Sequence, residues 1–300
     1  MNPNRTLGDA LATVQQRLET AELSFGHGTD NAFDEAVWLI CSALDIEPDL
    51  VDETTWGVIL DDKQLTKIES FCRERVDEHR PLAYISQRMW FAGHEFHVDE
   101  RVLIPRSHFG EWLDDRFEPW IDADSVRAIL DLGTGSGCIG VALAYAFPAA
   151  KIVASDVSTD ALQVAQTNVH QHRLDGRIEL VHSDLFDQFT GRRFDLIVSN
   201  PPYVDQPAMQ KLPTEYRHEP AIALDGGAGG LAIINRILLD ADRFLTDTGV
   251  LVLEAASAAC ALKKQYPDVP FNWLASTGGD EVLLIISAAE LKRLRSPDTS

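Results

Sequence analysis

Residues 1 to about 88 place apolar side chains at helical spacing. Leu11, Val14, Leu18 and Leu23 recur this way, as do Ala36, Ile40, Ala43 and Leu44, which predicts amphipathic helices packed into a small helical domain. Another helix is predicted over residues 62–80, stopped by Pro81, because proline cannot extend a helix. The period then changes. Phe96, Val98, Val102 and Ile104 alternate with polar neighbours, predicting a β-hairpin within residues 91–104 that turns at Asp99 and Glu100. Beyond residue 106, short apolar runs alternate with helical stretches, the mark of an α/β fold with a parallel sheet. The predicted strands are 128–131, 151–155, 178–182, 194–199, 249–254, 271–275 and 281–287, and the helices 138–146, 159–172, 231–244 and 256–266. The expected division is a helical domain over 1–88, a hairpin linker over 89–105 and an α/β domain over 106–300.

Candidate chemistry sits where these strands end. The run 128–131 leads into Gly133-Thr134-Gly135-Ser136-Gly137 at the head of a predicted helix, a turn that lets backbone approach a ligand closely. About twenty residues on, the next strand ends in Asp156, placed to accept both hydroxyls of a ribose. A dinucleotide frame through Gly135, Gly137 and Gly140 is conceivable, but Asp131 would repel a pyrophosphate. A carboxylate there can instead receive the ammonium of S-adenosylmethionine, directly or through water. After the third strand, Asp184 can accept an adenine amine, with Leu185 or Phe186 against the ring, or can simply cap a turn.

The fourth strand ends in Asn200-Pro201-Pro202-Tyr203. Two prolines cannot donate to a sheet and fix two φ angles, so they belong just past a strand end. A carboxamide or base amine is a poor nucleophile because its lone pair is delocalised. An enzyme that alkylates it must hold the nitrogen by its hydrogens. The Asn200 side-chain oxygen and the Pro201 carbonyl offer two acceptors in a rigid fork, Pro202 stiffens it, and Tyr203 offers a ring for a flat group to lie against.

Composition narrows the partners. The chain has 300 residues, 45% hydrophobic, with 47 acidic against 26 basic side chains and a formal charge of −21. That field disfavours direct nucleic-acid binding and speeds encounter with a basic macromolecule, though it also serves simply to keep a surface soluble. No run approaches the ~20 apolar residues of a membrane span, and Met1 to Arg5 are followed by no apolar signal segment, so a cytoplasmic protein without membrane partners is expected. Cys41, Cys72, Cys138 and Cys260 form no Cys-x-x-Cys pair, and no metal is expected.

These motifs resemble class I, Rossmann-like S-adenosylmethionine-dependent methyltransferases, and among them the HemK-like protein glutamine methyltransferases. Pro81-Leu-Ala-Tyr-Ile85, Phe91-Ala-Gly-His-Glu-Phe96 and Arg101-Val-Leu-Ile-Pro-Arg106 are similar to that family's linker, and Glu219-Pro220 with Ala223-Leu224 to its segment after the Asn-Pro-Pro-Tyr tetrad. The resemblance spans roughly residues 10 to 290. It implies that Gly133 to Gly137 line the methionine part of S-adenosylmethionine, Asp156 the ribose and Leu185 the adenine, with Arg106 beside the donor and Asn200 to Tyr203 holding a substrate glutamine. S-adenosylhomocysteine would be the product. The tetrad alone is shared with base-amine methyltransferases of DNA, so the linker discriminates.

Release-factor enzymes typically continue Pro-Arg with Pro-Glu-Thr-Glu, whereas this chain reads Pro105-Arg-Ser-His-Phe-Gly-Glu111. That segment, with 215–220 and 265–271, is similar to the branch that methylates a glutamine of ribosomal protein L-three, free or in an assembling large subunit. Release-factor methylation is the nearer alternative and base-amine methylation the more distant. Two positions depart from the family pattern: Gly229 stands where Asp is usual and Ala256 where Gly is usual.

Overall fold

The computed structural model describes residues 6–47 and 54–295. The tail after Arg295, expected from its composition to be disordered, lies outside them. The chain forms two compact units, one of Met1–Met89, Val98–Glu100 and Pro213–His218, the other of Trp90–His97, Arg101–Leu212 and Glu219–Ser300.

The first unit holds α1 (Leu7–Thr20), α2 (Ala32–Leu44), α3 (Asp62–Asp77) and α4 (Leu82–Ser86). Sequence dictates where these helices begin. Thr6 Oγ1 accepts the Asp9 N–H at 3.1 Å while Asp9 Oδ2 accepts the Thr6 N–H at 3.2 Å, and Asp61 with Gln64 repeats this reciprocal cap on α3. Leu7, Leu11, Val14 and Leu18 then bury one face of α1, each contributing about 1.5–3 kcal/mol if fully removed from water. Leu23 falls beyond α1, which stops at Thr20, and α3 stops at Asp77 rather than at residue 80. The short α4 replaces what looked like the end of helical structure at Pro81.

Buried within this unit is an ionic cluster. Arg75, 1% exposed, binds Glu35 through Nε and Glu215 Oε1 through Nη1 at 3.2 Å. Its Nη2 donates to Ser24 O at 3.0 Å, and the Ser24 N–H donates to Glu215 Oε1 at 2.8 Å. Against the upward pull of burial, the Ser24 amide and the Arg75 guanidinium hold the Glu215 carboxyl below its usual range.

A two-stranded hairpin follows, β1 (Arg88–Phe91) and β2 (His94–His97). Its turn is Ala92-Gly93, with φ 48° and 76°, not Asp99-Glu100. Two positive φ angles give the primed turn whose twist suits a hairpin. Residues 98–104 run on without strand structure, so the alternation at Val98, Val102 and Ile104 reflects burial of an irregular segment.

The second unit is built on β3 (Ala128–Leu132), α5 (Cys138–Ala146), β4 (Lys151–Asp156), α6 (Thr159–Gln171), β5 (Ile178–His182), β6 (Phe194–Ser199), α7 (Gln206–Met209), α8 (Ala232–Asp240), β7 (Leu245–Glu254), α9 (Ala259–Gln265), β8 (Asn272–Ala275), β9 (Glu281–Ser287) and α10 (Ala288–Arg295). The seven-stranded sheet runs β5-β4-β3-β6-β7-β9-β8. It is parallel through β7, and β9 lies antiparallel between β7 and β8, so the expected Rossmann-like α/β sheet is present with an antiparallel edge. Alternate residues feed two cores: Ile129 packs into one, Leu130 and Leu132 into the other. The order reverses at β3, so β3 and β6 flank a crevice at their carboxyl ends, where open α/β sheets bind ligands. Register brings Leu132, Ser155, Ser199 and Leu253 to one level of that rim. Among the described residues, no helix is long and apolar enough to cross a membrane.

Candidate active site

A cavity of about 320 Å³ opens on this rim, entirely within the second unit. Gly133, Gly135, Asp156, Asp184, Leu185, Asn200, Pro201 and Pro202 all line it. Asp131, Thr134, Ser136, Gly137, Tyr203 and Arg106 do not; they stand behind or beside its wall.

The glycine turn is fastened to β4. The amides of Gly133 and Thr134 both donate to Ser155 O, at 2.8 and 2.9 Å, and Gly135 N–H donates to Asp156 Oδ2 at 2.9 Å. Gly135 has φ 55°, and a Cβ built there would meet no atom within 4 Å. Its backbone therefore faces open cavity. Asp156 also accepts the Ser158 N–H at 2.8 Å through Oδ1; burial raises its pKa. Its carboxylate thus shapes the loop as well as lining the cavity, a task the sequence did not reveal.

Asp131 is fully buried beneath the turn. Its Oδ2 accepts the Thr134 hydroxyl at 2.6 Å, while Oδ1 has no hydrogen-bond partner among the described residues. Burial, reinforced by the nearby Asp156 charge, outweighs the Thr134 and Gly140 hydrogen bonds and pushes this carboxyl up to about 7. An orphaned buried acceptor costs free energy until something satisfies it.

At the far end, Leu185 has φ 46°, a strained conformation for a leucine, and Ser183 Oγ donates to its carbonyl at 2.8 Å. Asp184 pairs with Arg236 Nη2 of α8 at 3.0 Å, both side chains about half exposed. Exposed Val157 and Ile222 also line the cavity. Arg106 grips Glu219 instead of the cavity, with Nη2 to Oε2 at 2.7 Å and Nη1 to Oε1. Since Glu219 Oε1 also accepts the Ile104 N–H at 3.1 Å, this pair joins two wall segments, 101–103 and 220–223.

The tetrad leaves β6 with Ser199 Oγ donating to Leu132 O at 2.9 Å. The Asn200 side chain lines the cavity and has no hydrogen-bond partner among the described residues. The loop is held from below: Val204 N–H donates to Leu224 O at 3.0 Å and Gly226 N–H to Val204 O at 2.8 Å. Gly230, φ 72°, presses so closely that a Cβ would lie 2.2 Å from Tyr203 O. Gly230→Ala should therefore displace the tetrad, and at least a tenfold fall in turnover with little change in donor affinity is expected. Steady-state kinetics beside calorimetric donor binding checks this, and a wild-type rate would contradict it. Gly229 has φ 66°, a conformation Asp also tolerates, and the backbone accommodates a Cβ at Ala256 without positive φ.

Tyr203 Oη donates to Glu254 Oε1 at 3.1 Å. Glu254, 1% exposed, also accepts from Ser107 Oγ and the His108 N–H. Ser107 and His108 are residues that set this chain apart from the release-factor pattern. From sequence, Glu254 is the end of a predicted strand and the first residue of the segment Glu254-Ala-Ala256 that resembles the family's Glu-x-Gly, with no role assigned, although a carboxylate ending an apolar strand on the ligand rim is itself a signal. No group of three or more His, Cys, Asp or Glu able to hold a metal occurs among the described residues.

A glycine turn and an Asn-Pro-Pro-Tyr loop meet at the switch point of this seven-stranded sheet, the arrangement of a Rossmann-like methyltransferase. Residues 119–215 match the methyltransferase small domain family. Over 287 residues the chain is 43% identical to the ribosomal protein uL3 glutamine methyltransferase of Francisella tularensis, covering 95% of this chain and 91% of that one. Proteins of the same name from Neisseria meningitidis, 44% identical over 290 residues (95% and 94% covered), and Burkholderia pseudomallei, 41% identical over 297 residues (96% and 96%), are similarly close. The chain belongs to the family of ribosomal protein uL3 glutamine methyltransferases. Among solved structures, the catalytic domain of hMettl16 in complex with a MAT2A 3'UTR hairpin is similar in fold, with TM-score 0.52 at 16% identity over 83% of this chain and 92% of that one.

Proposed function

We propose that this enzyme transfers a methyl group from S-adenosylmethionine to N5 of a glutamine side chain in ribosomal protein uL3. The observation that carries the reading is the unpartnered Asn200 amide on the cavity wall beside the Pro201 backbone, joined to membership of this family.

The cavity fits the donor. Its glycine turn exposes backbone, Asp156 supplies carboxylate acceptors for hydroxyls, Leu185, Val157 and Ile222 supply apolar surface for a base, and Asp131 keeps an acceptor without a partner among the described residues beneath the turn. S-adenosylmethionine, when bound, supplies a methyl group made electrophilic by its sulfonium. Gly133 to Gly137 and Asp131 would hold the amino-acid end, Asp156 the ribose hydroxyls, and Asp184 with Leu185 the adenine. Asn200 Oδ1 and the Pro201 carbonyl then accept the two N–H groups of the glutamine amide, and the Tyr203 ring packs against its plane. Holding both hydrogens aims the nitrogen lone pair across the amide plane; as the N–CH3 bond replaces the S–CH3 bond, one amide hydrogen leaves as a proton to solvent, so catalysis is alignment and polarisation rather than covalent catalysis by the enzyme.

Helical unit residues in the span Met1–Met89 select the protein substrate in this reading, and the acidic surface favours a basic ribosomal protein. The reaction takes place in the cytoplasm, on free uL3 or on an assembling large subunit. Incubation with methyl-labelled donor and, separately, unmethylated uL3, release factor or DNA tests the acceptor: label on uL3 is expected, and label only on release factor or DNA would overturn the reading.

Donor binding should also report Asp131. A cation binds better to an ionised carboxylate, so affinity should rise with pH through about 7, by up to about tenfold per unit below that point. Asp131→Asn should weaken binding and flatten the profile. Calorimetry from pH 5.5 to 7.5 checks this; an equal slope in the variant would exclude Asp131 as the titrating group.

A further inference from the structure

Glu254 ends β7, and register places Leu253 beside Ser199, the residue before the tetrad. Three hydrogen-bond donors converge on its two oxygens: Tyr203 Oη on Oε1 at 3.1 Å, and the Ser107 hydroxyl and His108 N–H on Oε2, the latter at 3.1 Å. No lysine or arginine pairs with it among the described residues. A buried charge without a cationic partner is costly, and burial raises its pKa. What justifies a carboxylate here is its donor set. A carboxylate accepts at both oxygens and brings no donor of its own, whereas a glutamine would turn an NH2 toward a donor.

We propose that Glu254 is a positioning residue for methyl transfer: by accepting from the Tyr203 hydroxyl and from Ser107 and His108 together, it fixes the tyrosine ring against which the acceptor amide is held. The proposal rests on the glutamine-methylation reading given above. Glu254 acts through Tyr203 and on the acceptor side of the site, so donor affinity does not depend on it.

The test compares Glu254→Gln, Tyr203→Phe and the double variant. Each single variant is expected to lower kcat/KM for uL3 by about 10- to 100-fold, chiefly through a raised KM for uL3, while the Kd for S-adenosylmethionine stays within about twofold. The double variant should be no worse than the worse single one, because both remove the same link. A merely structural role predicts multiplied losses and weakened donor binding. A readout without acceptor comes from NMR titration of ring-labelled tyrosine, with the Tyr203 signal assigned by its loss in Tyr203→Phe. Because Tyr203 Oη donates to the Glu254 carboxylate at 3.1 Å, replacing that carboxylate in Glu254→Gln should move the signal's titration to lower pH. An unchanged titration, or multiplicative kinetics, overturns the proposal. Should wild-type enzyme leave uL3 unmethylated, the functional reading fails separately, and the titration and donor affinity still decide the Glu254–Tyr203 link. Should Glu254→Gln not fold, Tyr203→Phe with Ser107→Ala measures the same link from its other ends, and independent, multiplying effects count against it.

Discussion

Replacing Asn200 by alanine should lower kcat by about 10²–10³-fold, the loss typical of removing one preorganised hydrogen-bonding group from a reacting centre. Asn200 lines the cavity and its side chain makes no hydrogen bond among the described residues, so no hydrogen-bond network there is broken by its removal. Stability should stay within about 0.5 kcal/mol, as for substitutions away from packed or networked groups. The Pro201 carbonyl remains and would still hold one amide hydrogen, but one contact lets the amide swing and its lone pair lose aim. Donor affinity should change by no more than about twofold. Single-turnover methylation of uL3 beside calorimetric donor binding makes the comparison, and a variant that turned over normally would remove the fork from the mechanism.

The second large effect concerns stability. Arg75→Ala should cost about 3–5 kcal/mol, because it leaves two carboxylates buried without their cation. Glu35 is 4% and Glu215 1% exposed; Thr29 Oγ1 donates to Glu35 at 2.9 Å, Ser24 N–H to Glu215 at 2.8 Å, and His79 Nδ1 lies a longer 3.4 Å from Glu215 Oε1, contacts that do not replace a guanidinium shared by both. The pH dependence has a definite sign. The folded Glu215 pKa is depressed, so its stabilisation is fully present above the unfolded value near 4.5 and is lost as pH falls below it. Urea unfolding followed by tryptophan fluorescence, at pH 7 and pH 4, checks both. A loss under 1 kcal/mol at pH 7 would show that the cluster is hydrated rather than buried.

What the sequence made legible follows from which forces are local. The strands at 178–182, 194–199 and 281–287 and helix α5 match their predicted limits because apolar runs and glycine punctuation are read within a few residues. Asn200, Pro201, Gly133, Gly135 and Asp156 stood out for the same reason: each ends a recognisable strand. The hairpin turn escaped because Ala92 is a poor advertisement for positive φ, while Asp99-Glu100 looks polar enough to turn. Within residues 106–127, Phe109, Leu113, Phe117 and Ile121 recur at helical spacing and are buried in the core, yet the segment forms only 3-10 helix and turns, so its period told of burial and not of its backbone. Pro213–His218 joins the first unit through Glu215 and Arg75, 140 residues apart. No local pattern announces such a pair, and the same holds for Tyr203 with Glu254 and for Arg106 with Glu219, separated by 51 and 113 residues.

The central claim is that the rigid fork presents an amide nitrogen to the methyl donor. Tandem mass spectrometry of uL3 methylated by the purified enzyme locates the transferred methyl to a single atom. The expected product is one glutamine carrying the added methyl on N5, absent when Asn200→Ala replaces the wild type. A methyl group found on a lysine amine, an arginine or a carboxylate oxygen, with glutamine unmodified, would contradict the account.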